Sequence, residues 1–196
     1  MGHREDLLEG AKRCLLEKGF LRTTARDIVK ESGTNLASIG YHYGSKDALL
    51  VQAYVALIEA TGHRFEPGGD GEATKSTPAG SLERFQAVWT NIVEAVGESR
   101  AIWMLSFELI LQGDRMPEVR RMLVEAEEQG RSGLLPLFNG IPEEEQGKEA
   151  VETEGRFYQT LLQGLMVQWL FNPDTATDAA QLTEGLRRVI AGVKEG

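Results

Sequence analysis

Residues 23–50 read Thr23-Thr-Ala-Arg-Asp-Ile-Val-Lys-Glu-Ser-Gly33, then Thr34-Asn-Leu-Ala-Ser-Ile-Gly-Tyr-His-Tyr43, then Gly44-Ser-Lys-Asp-Ala-Leu-Leu50. Thr24 followed three residues later by Asp27 is a capping-box-like start, in which each side chain satisfies the other residue's free backbone N–H. It predicts a short helix over about 24–32, with Ile28 and Val29 inward, stopped by Gly33. Asn35 is placed to cap a third helix running to about Tyr41. Ser45 is placed to cap a fourth, in which Leu49, Ala53, Val55, Ala56 and Ile58 keep the apolar spacing. Upstream, Leu7, Leu8, Ala11, Cys14 and Leu15 recur at the i, i+3, i+4 spacing of one helix face. Gly19 offers the position that ends that first helix, with Phe20 packing back on it. Short helices joined by a tight glycine-containing turn have the helix-turn-helix layout.

Working outward, the helical pattern fails from about Gly62 to Gly80. Glu66-Pro-Gly-Gly-Asp-Gly71 and Thr77-Pro-Ala-Gly80 concentrate residues that break helices, which predicts a mobile loop over 61–81. Periodicity resumes with Leu82, Phe85, Trp89, Ile92, Val93 and Val96. The run Ala101–Leu111 is apolar on every side except Ser106 and Glu108, the pattern of a central helix. Pro117 suits the first turn of a helix reaching about Phe138. A long helix follows from about Glu144 to Phe171. Asp178 and Gln181 then open a last one with Leu182, Leu186, Val189, Ile190 and Val193 inward. No β-alternation and no repeat is present. The expected fold is all-α with about nine helices: a head over 1–50, linked through the fourth helix at 46–60, and a larger domain over 82–196.

Composition bounds what this fold can do. The 196 residues carry 21 Lys and Arg against 30 Asp and Glu, a net charge of −9. Residues 1–50 hold eight basic and seven acidic side chains, net +1, so the other 146 hold 13 and 23, net −10. That asymmetry permits a nucleic-acid partner at one end only. One cysteine, Cys14, excludes a disulfide framework and a multi-cysteine zinc site, and its place on the inward face makes it core. Three dispersed histidines (His3, His42, His63) leave no histidine metal site. The opening residues lack an apolar signal segment, and no run approaches about 18 uninterrupted apolar residues, so a cytoplasmic protein without a membrane span is expected. Neither a catalytic motif nor a nucleotide-binding glycine loop occurs, so neither enzyme activity nor a cofactor is expected.

The stretch quoted above resembles the amino-terminal signature of the tetracycline-repressor (TetR) family, over roughly residues 4–60. The resemblance implies a homodimeric repressor that leaves double-stranded operator DNA when a small molecule binds the larger domain. It implies DNA contacts for Thr24 and Arg26 at the start of the second helix, and for Tyr41 and His42 at the end of the reading helix. Lys46 falls where the family has a lysine opening the fourth helix, making a phosphate site with free backbone N–H groups. Ile39 and Tyr43 match the residues that anchor the reading helix and are excluded from the site. There are departures. Thr34 replaces a usually aliphatic turn residue. Gly40 stands where an aromatic or polar residue is usual, at a cost of about 0.5–1 kcal/mol relative to Ala within a helix. Close approach to DNA and a loosened helix are both open as its reason. The remaining reading surface, Leu36, Ala37 and Ser38, offers no bidentate base-reading group. It predicts thymine-methyl contacts by Leu36 or Ala37, a Ser38 hydrogen bond, and readout of DNA shape.

By analogy with the family, Trp89, Trp103 and Phe107 lie on helices that surround a ligand cavity, and Glu108 is a candidate polar group within it. A carboxylate on so apolar a helix needs a partner: Arg156, another cation, a cationic ligand, or solvent. Leu161, Leu162, Leu165, Trp169 and Leu170, with Leu182, Leu186, Val189 and Val193, give the last two helices more apolar surface than they bury together. That predicts a homodimer through a four-helix bundle. The alternative from a different class is a helical small-molecule-binding protein or enzyme with a degenerate head, motivated by Gly40 and the absent base-reading side chains.

Overall fold

A computed structural model describes residues 2–62, 76–113 and 115–193. Among the described residues there are helices and no strands. In chain order the helices are α1 (His3–Lys18), α2 (Ala25–Ser32), α3 (Leu36–Tyr43), α4 (Lys46–Gly62), α5 (Leu82–Glu98), α6 (Arg100–Gln112) and α7 (Pro117–Asn139). Next comes α8, which runs through Lys148–Ala150, a π-helical stretch Val151–Gly155 and Arg156–Phe171, and then α9 (Ala179–Gly192). The expected loop falls largely on residues 63–75, outside the described residues; Ser81, just after it, caps α5 by accepting the Arg84 N–H.

The chain packs as two compact units, Met1–Ala60 with Arg100–Glu127 and Thr61–Ser99 with Glu128–Gly196. The second half of the sequence is therefore divided between them, with α6 and the first turns of α7 joining the amino-terminal helices.

In the first unit, α1 buries Leu7, Ala11, Cys14 and Leu15 against Ile28 of α2, Ile39 and Tyr43 of α3, and Leu49, Leu50, Val51 and Ala53 of α4. Close packing of α1 on α2 needs Gly10, because a Cβ there would lie 2.9 Å from the Ser32 Cβ. Local chemistry sets the helix ends as the sequence indicates. Gly19 leaves α1 at φ +79° with Phe20 buried behind it. Thr24 and Asp27 form the reciprocal capping box of α2, and Gly33 ends that helix in the left-handed region. The Asn35 side chain accepts the Ser38 N–H, and Ser45 accepts the Ala48 N–H. Thr34 does not leave a gap in the turn; its hydroxyl meets that of Ser32 at 2.8 Å.

Two expectations are corrected. The sequence makes α6 a central helix, yet only one side of it is buried: Trp103, Leu105, Ser106 and Leu109 are inward, while Met104, Ile110 and Leu111 are exposed. In the second unit, α9 packs on α5 through Ala179 and Thr183, with Leu182 and Leu186 half-buried. Val189, Ile190 and Val193, expected inward, are each more than 60% exposed. The core of this unit is an aromatic group. Phe138 of α7 stacks on Tyr158 of α8 at 3.8 Å, and Phe85 and Trp89 of α5 pack beside them. Gly97 admits the Trp169 ring, 3.4 Å from where its Cβ would stand.

Candidate nucleic-acid interface

Helix α3 has only eight residues, and its two faces differ sharply. Ile39 and Tyr43 anchor it inward, and the Tyr43 hydroxyl donates to the Arg4 carbonyl at 2.6 Å. Outward, Leu36, Ala37, Gly40 and Tyr41 share one ridge, as residues three and four apart on a helix do. All four are exposed, Leu36 by 51% and Tyr41 by 86%. The Tyr41 ring meets only the edge of His42, at 4.8 Å, and His42 is half-buried. Ser38 departs from its expected place. At 8% exposure it faces the interior with Ile39, so its hydroxyl is not part of the outward ridge.

The other predicted contacts lie at the start of α2 and the start of α4. Arg26 is exposed and has no hydrogen bond or ion pair among the described residues, so its guanidinium is available to an anion. The Thr24 hydroxyl accepts the Asp27 N–H and lies 2.6 Å from the Asp27 carboxylate. Lys46 is also engaged. Its ammonium donates to the Thr23 carbonyl at 3.3 Å, pairs with Asp47 at 2.9 Å and stands over the Phe20 ring. A phosphate would share the Lys46 ammonium with Asp47, a neighbour of like charge to the DNA.

Asp27 is the residue of this region that sequence reasoning undervalued. The Lys18 ammonium, 2.6 Å away, holds its carboxyl well below the usual aspartate range, and the Thr24 hydroxyl and N–H pull it further down. Lys18 is correspondingly raised by Asp27. Burial pushes the Cys14 thiol up.

The four candidate ligand residues are not one cluster within a unit. Trp89 belongs to the second unit, is fully buried, and has no partner for its indole N–H among the described residues. Trp103, Phe107 and Glu108 belong to the first, and Trp103 is likewise buried with an unpartnered indole N–H. Among the described residues Glu108 pairs with no cation. Its two carboxylate oxygens accept the backbone N–H groups of Phe20 and Leu21, each at 2.9 Å. Arg156, its proposed partner in sequence, pairs with Glu152 one turn away. Gly19 makes room for the carboxylate, since a Cβ there would lie 2.9 Å from its Oε2. The lone acid on an apolar helix was the signal; the two N–H groups left free after α1 were its partner.

A second link joins α4 to α6. The Tyr54 hydroxyl donates to Ser106 Oγ at 2.8 Å, and Ser106 donates onward to the Ile102 carbonyl. Burial raises the Tyr54 pKa, opposed by the Ser106 bond. The first unit also has a shallow hollow of about 210 Å³, lined by Ser45, Asp47 and Ala48 with Met116, Pro117, Val119 and Met122, and none of the candidate ligand residues lines it. Among the described residues, no helix is long and apolar enough to cross a membrane, and no group of three His, Cys, Asp or Glu side chains is placed to hold a metal ion.

Comparison with known proteins bears on both parts of the chain. Residues 7–53 match the family model described as bacterial regulatory proteins, tetR family. Residues 81–193 match the model of the BetI-type transcriptional repressor, C-terminal. The HTH-type transcriptional regulator BetI of Agrobacterium fabrum is 26% identical over 70% of this chain, and the match spans 64% of that protein's length. The probable HTH-type transcriptional regulator ArpR of Pseudomonas putida is 25% identical over 88% of this chain and 82% of its own. Among solved structures, the multidrug binding protein EbrR complexed with imidazole shares the fold at a TM-score of 0.68, with 24% identity over 96% of this chain and 95% of that one.

Proposed function

The chain belongs to the TetR family of bacterial regulatory proteins, and from that premise we propose a ligand-responsive homodimeric repressor, released from a near-palindromic operator by a small molecule. The observation that carries this reading is the outward ridge of α3, exposed on a helix capped at both ends and anchored inside. Arg26, with its uncommitted guanidinium, Tyr41, His42, Lys46 and Thr24 supply the phosphate contacts. Leu36 and Ala37 meet base edges, and DNA shape contributes the rest of the specificity. The protein acts in the cytoplasm and catalyses no reaction.

Residues 1–50 form the reading head and residues 82–196 the ligand-binding and dimerisation domain. Dimerisation runs through α8 and α9. The exposed Phe171, Val189, Ile190 and Val193 support it, being apolar groups that a lone chain leaves in water. Two such heads a helical turn apart, about 34–36 Å, would read a near-palindrome. Ligand binding selects a conformation of the larger domain that draws the heads out of register. Glu108 and the Tyr54–Ser106 pair join α6 to the α1–α2 turn and to α4, which gives the ligand a mechanical route to the head. By linkage, operator DNA must weaken ligand binding by the same factor.

Fluorescence anisotropy against DNA fragments from upstream of the protein's own gene, across a salt series, tests the reading. The expected result is tight binding to one fragment by two chains or more, with log K falling linearly as log salt rises, by about 0.9 per phosphate neutralised. Uniformly weak binding to random and upstream duplexes alike would favour a helical ligand-binding protein with a degenerate head. Equal ligand affinity for free and DNA-bound protein would overturn the release mechanism.

A further inference from the structure

Gly40 sits in the middle of α3, where glycine is unfavourable relative to alanine. Nothing among the described residues accounts for it. Its φ is not positive, so no left-handed turn requires it. A Cβ built on it meets no atom within 4 Å, so no close packing requires it either. The helix is not loosened at this point. Its carbonyl accepts the Gly44 N–H at 3.1 Å, Asn35 and Gly44 finish the two ends, and Ile39 and Tyr43 on either side of the inner face are buried. What remains is the outside. Leu36 stands one turn before Gly40, Ala37 beside it, and Tyr41 follows, all exposed. The missing side chain leaves a gap in the outward ridge, with the exposed apolar Leu36 and Ala37 before it in the helix and open space where a Cβ would stand.

We propose that this gap is a specificity determinant that receives the 5-methyl group of a thymine in the major groove. The inference rests on α3 being the reading helix. The chemistry of the gap selects the occupant. The exposed residues before it, Leu36 and Ala37, have apolar side chains, and the Gly40 N–H, on the fifth residue of the helix, is committed to the carbonyl four residues back, so Gly40 itself offers neither a phosphate nor a base carbonyl a donor. The thymine methyl is the apolar group that the major groove presents. Gly40 thus lowers the stability of the head and brings the helix backbone within reach of one base.

The test uses the full-length protein and a duplex that the wild type selects from a random-sequence pool. The same duplex is then made with each thymidine replaced in turn by deoxyuridine, which lacks the methyl. In the wild type, one replacement in each half-site should weaken binding by about fourfold, the worth of burying one methyl. Gly40→Ala should raise Tm by about 2 °C while binding the parent duplex about tenfold more weakly, because the added methyl overfills the gap. Deoxyuridine at that same position should restore most of the loss. Gly130→Ala serves as the control: this glycine is also exposed on a helix with open space about it, and its substitution should raise Tm and leave binding unchanged. A Gly40→Ala protein that binds the parent duplex as tightly as the wild type overturns the proposal, as does one whose loss no deoxyuridine relieves. A wild type that selects no duplex at all overturns the DNA-reading assignment and this inference with it, so the two failures are told apart.

Discussion

The α1–α2 turn and the outer ridge of α3 belong to the same compact unit, and they use their polar groups in opposite ways. In the turn, the Phe20 and Leu21 N–H groups end on Glu108, the Thr23 hydroxyl donates to the Gly19 carbonyl at 2.6 Å, Lys46 reaches the Thr23 carbonyl, and Lys18 holds Asp27. On the ridge, Leu36, Ala37 and Gly40 hold no polar side chain, and the Tyr41 hydroxyl has no partner among the described residues. Hydrogen bonds hold the turn together and leave the ridge bare, so the ridge side chains are not the ones that hold the fold, whereas Thr24 and Lys46 serve the turn as well as the proposed phosphate contacts. A surface meant to exchange water for DNA is better left without internal partners, since each one would have to be broken on binding.

The separation breaks most visibly at Glu108. Glu108→Ala removes a carboxylate that accepts two backbone N–H groups, one of them on the buried Phe20. Leaving such donors without a partner should cost about 2–3 kcal/mol, read as a lower urea midpoint at unchanged m. Glu108→Gln, which keeps one carbonyl oxygen, should lose less. If the alanine variant is as stable as the wild type, the turn is not held as described. The ridge should respond in the other sense. Tyr41→Ala is expected to keep Tm within the range of neutral surface substitutions, about ±0.5 kcal/mol, while weakening operator binding about tenfold. A Tyr41 variant that unfolds early would show that the ridge is also structural.

What was legible in the sequence follows the same line. Thr24 with Asp27, Asp178 with Gln181, Asn35, Gly19 and Gly33 act over three or four residues, and the helix ends they define are where local pattern puts them. Glu108 was visible as an anomaly, but its partners lie 87 and 88 residues away, and no spacing rule reaches that far. Ser38 was misread because the motif gives the order of residues on α3 and not which way the helix is rotated. That rotation is set by Ile39 and Tyr43 against the core. The outward Ile110, Leu111 and Ile190 were misread because apolar residues at helical spacing carry the same pattern whether they face a core or water, while Val189 stood both in the inward set and on the apolar face given to the last two helices. The α3 ridge and Arg26 were legible as a candidate site because the motif is contiguous. The candidate ligand residues are scattered over α5 and α6, and the division of those helices between two units has no signature in the sequence.

Asp27 sharpens the comparison through pH. Its carboxyl is depressed in the folded chain by Lys18 and Thr24, so its contribution is fully present above the unfolded aspartate value of about 3.9 and is lost as pH falls through the lower folded value. Asp27→Asn should therefore be less stable than the wild type at neutral pH, by less than Glu108→Ala. The difference between the two proteins should shrink as pH drops below the ordinary aspartate range. A gap that stays constant down to the acid limit would mean that the charge on Asp27 contributes nothing and that only its shape as a cap matters.

Tyr54 gives the smallest effect and tests whether the link from α4 to α6 belongs with the turn. Its hydroxyl is buried and donates to Ser106, which keeps its own bond to the Ile102 carbonyl. Tyr54→Phe should then cost about 1 kcal/mol at neutral pH, the net worth of one neutral hydrogen bond. The alkaline limb carries the second half of the test. Burial raises the Tyr54 pKa in the folded chain, so the folded state holds its proton more tightly and stability falls as pH rises past the unfolded tyrosine value of about 10. Tyr43 and Tyr158 are shifted the same way and remain in the variant. The phenylalanine protein should therefore still lose stability in alkali, but with a shallower slope, and the cost seen at neutral pH should diminish there. Equal slopes would show that the Tyr54 hydroxyl is solvated in solution, and α4 would then be tied to α6 by apolar packing alone.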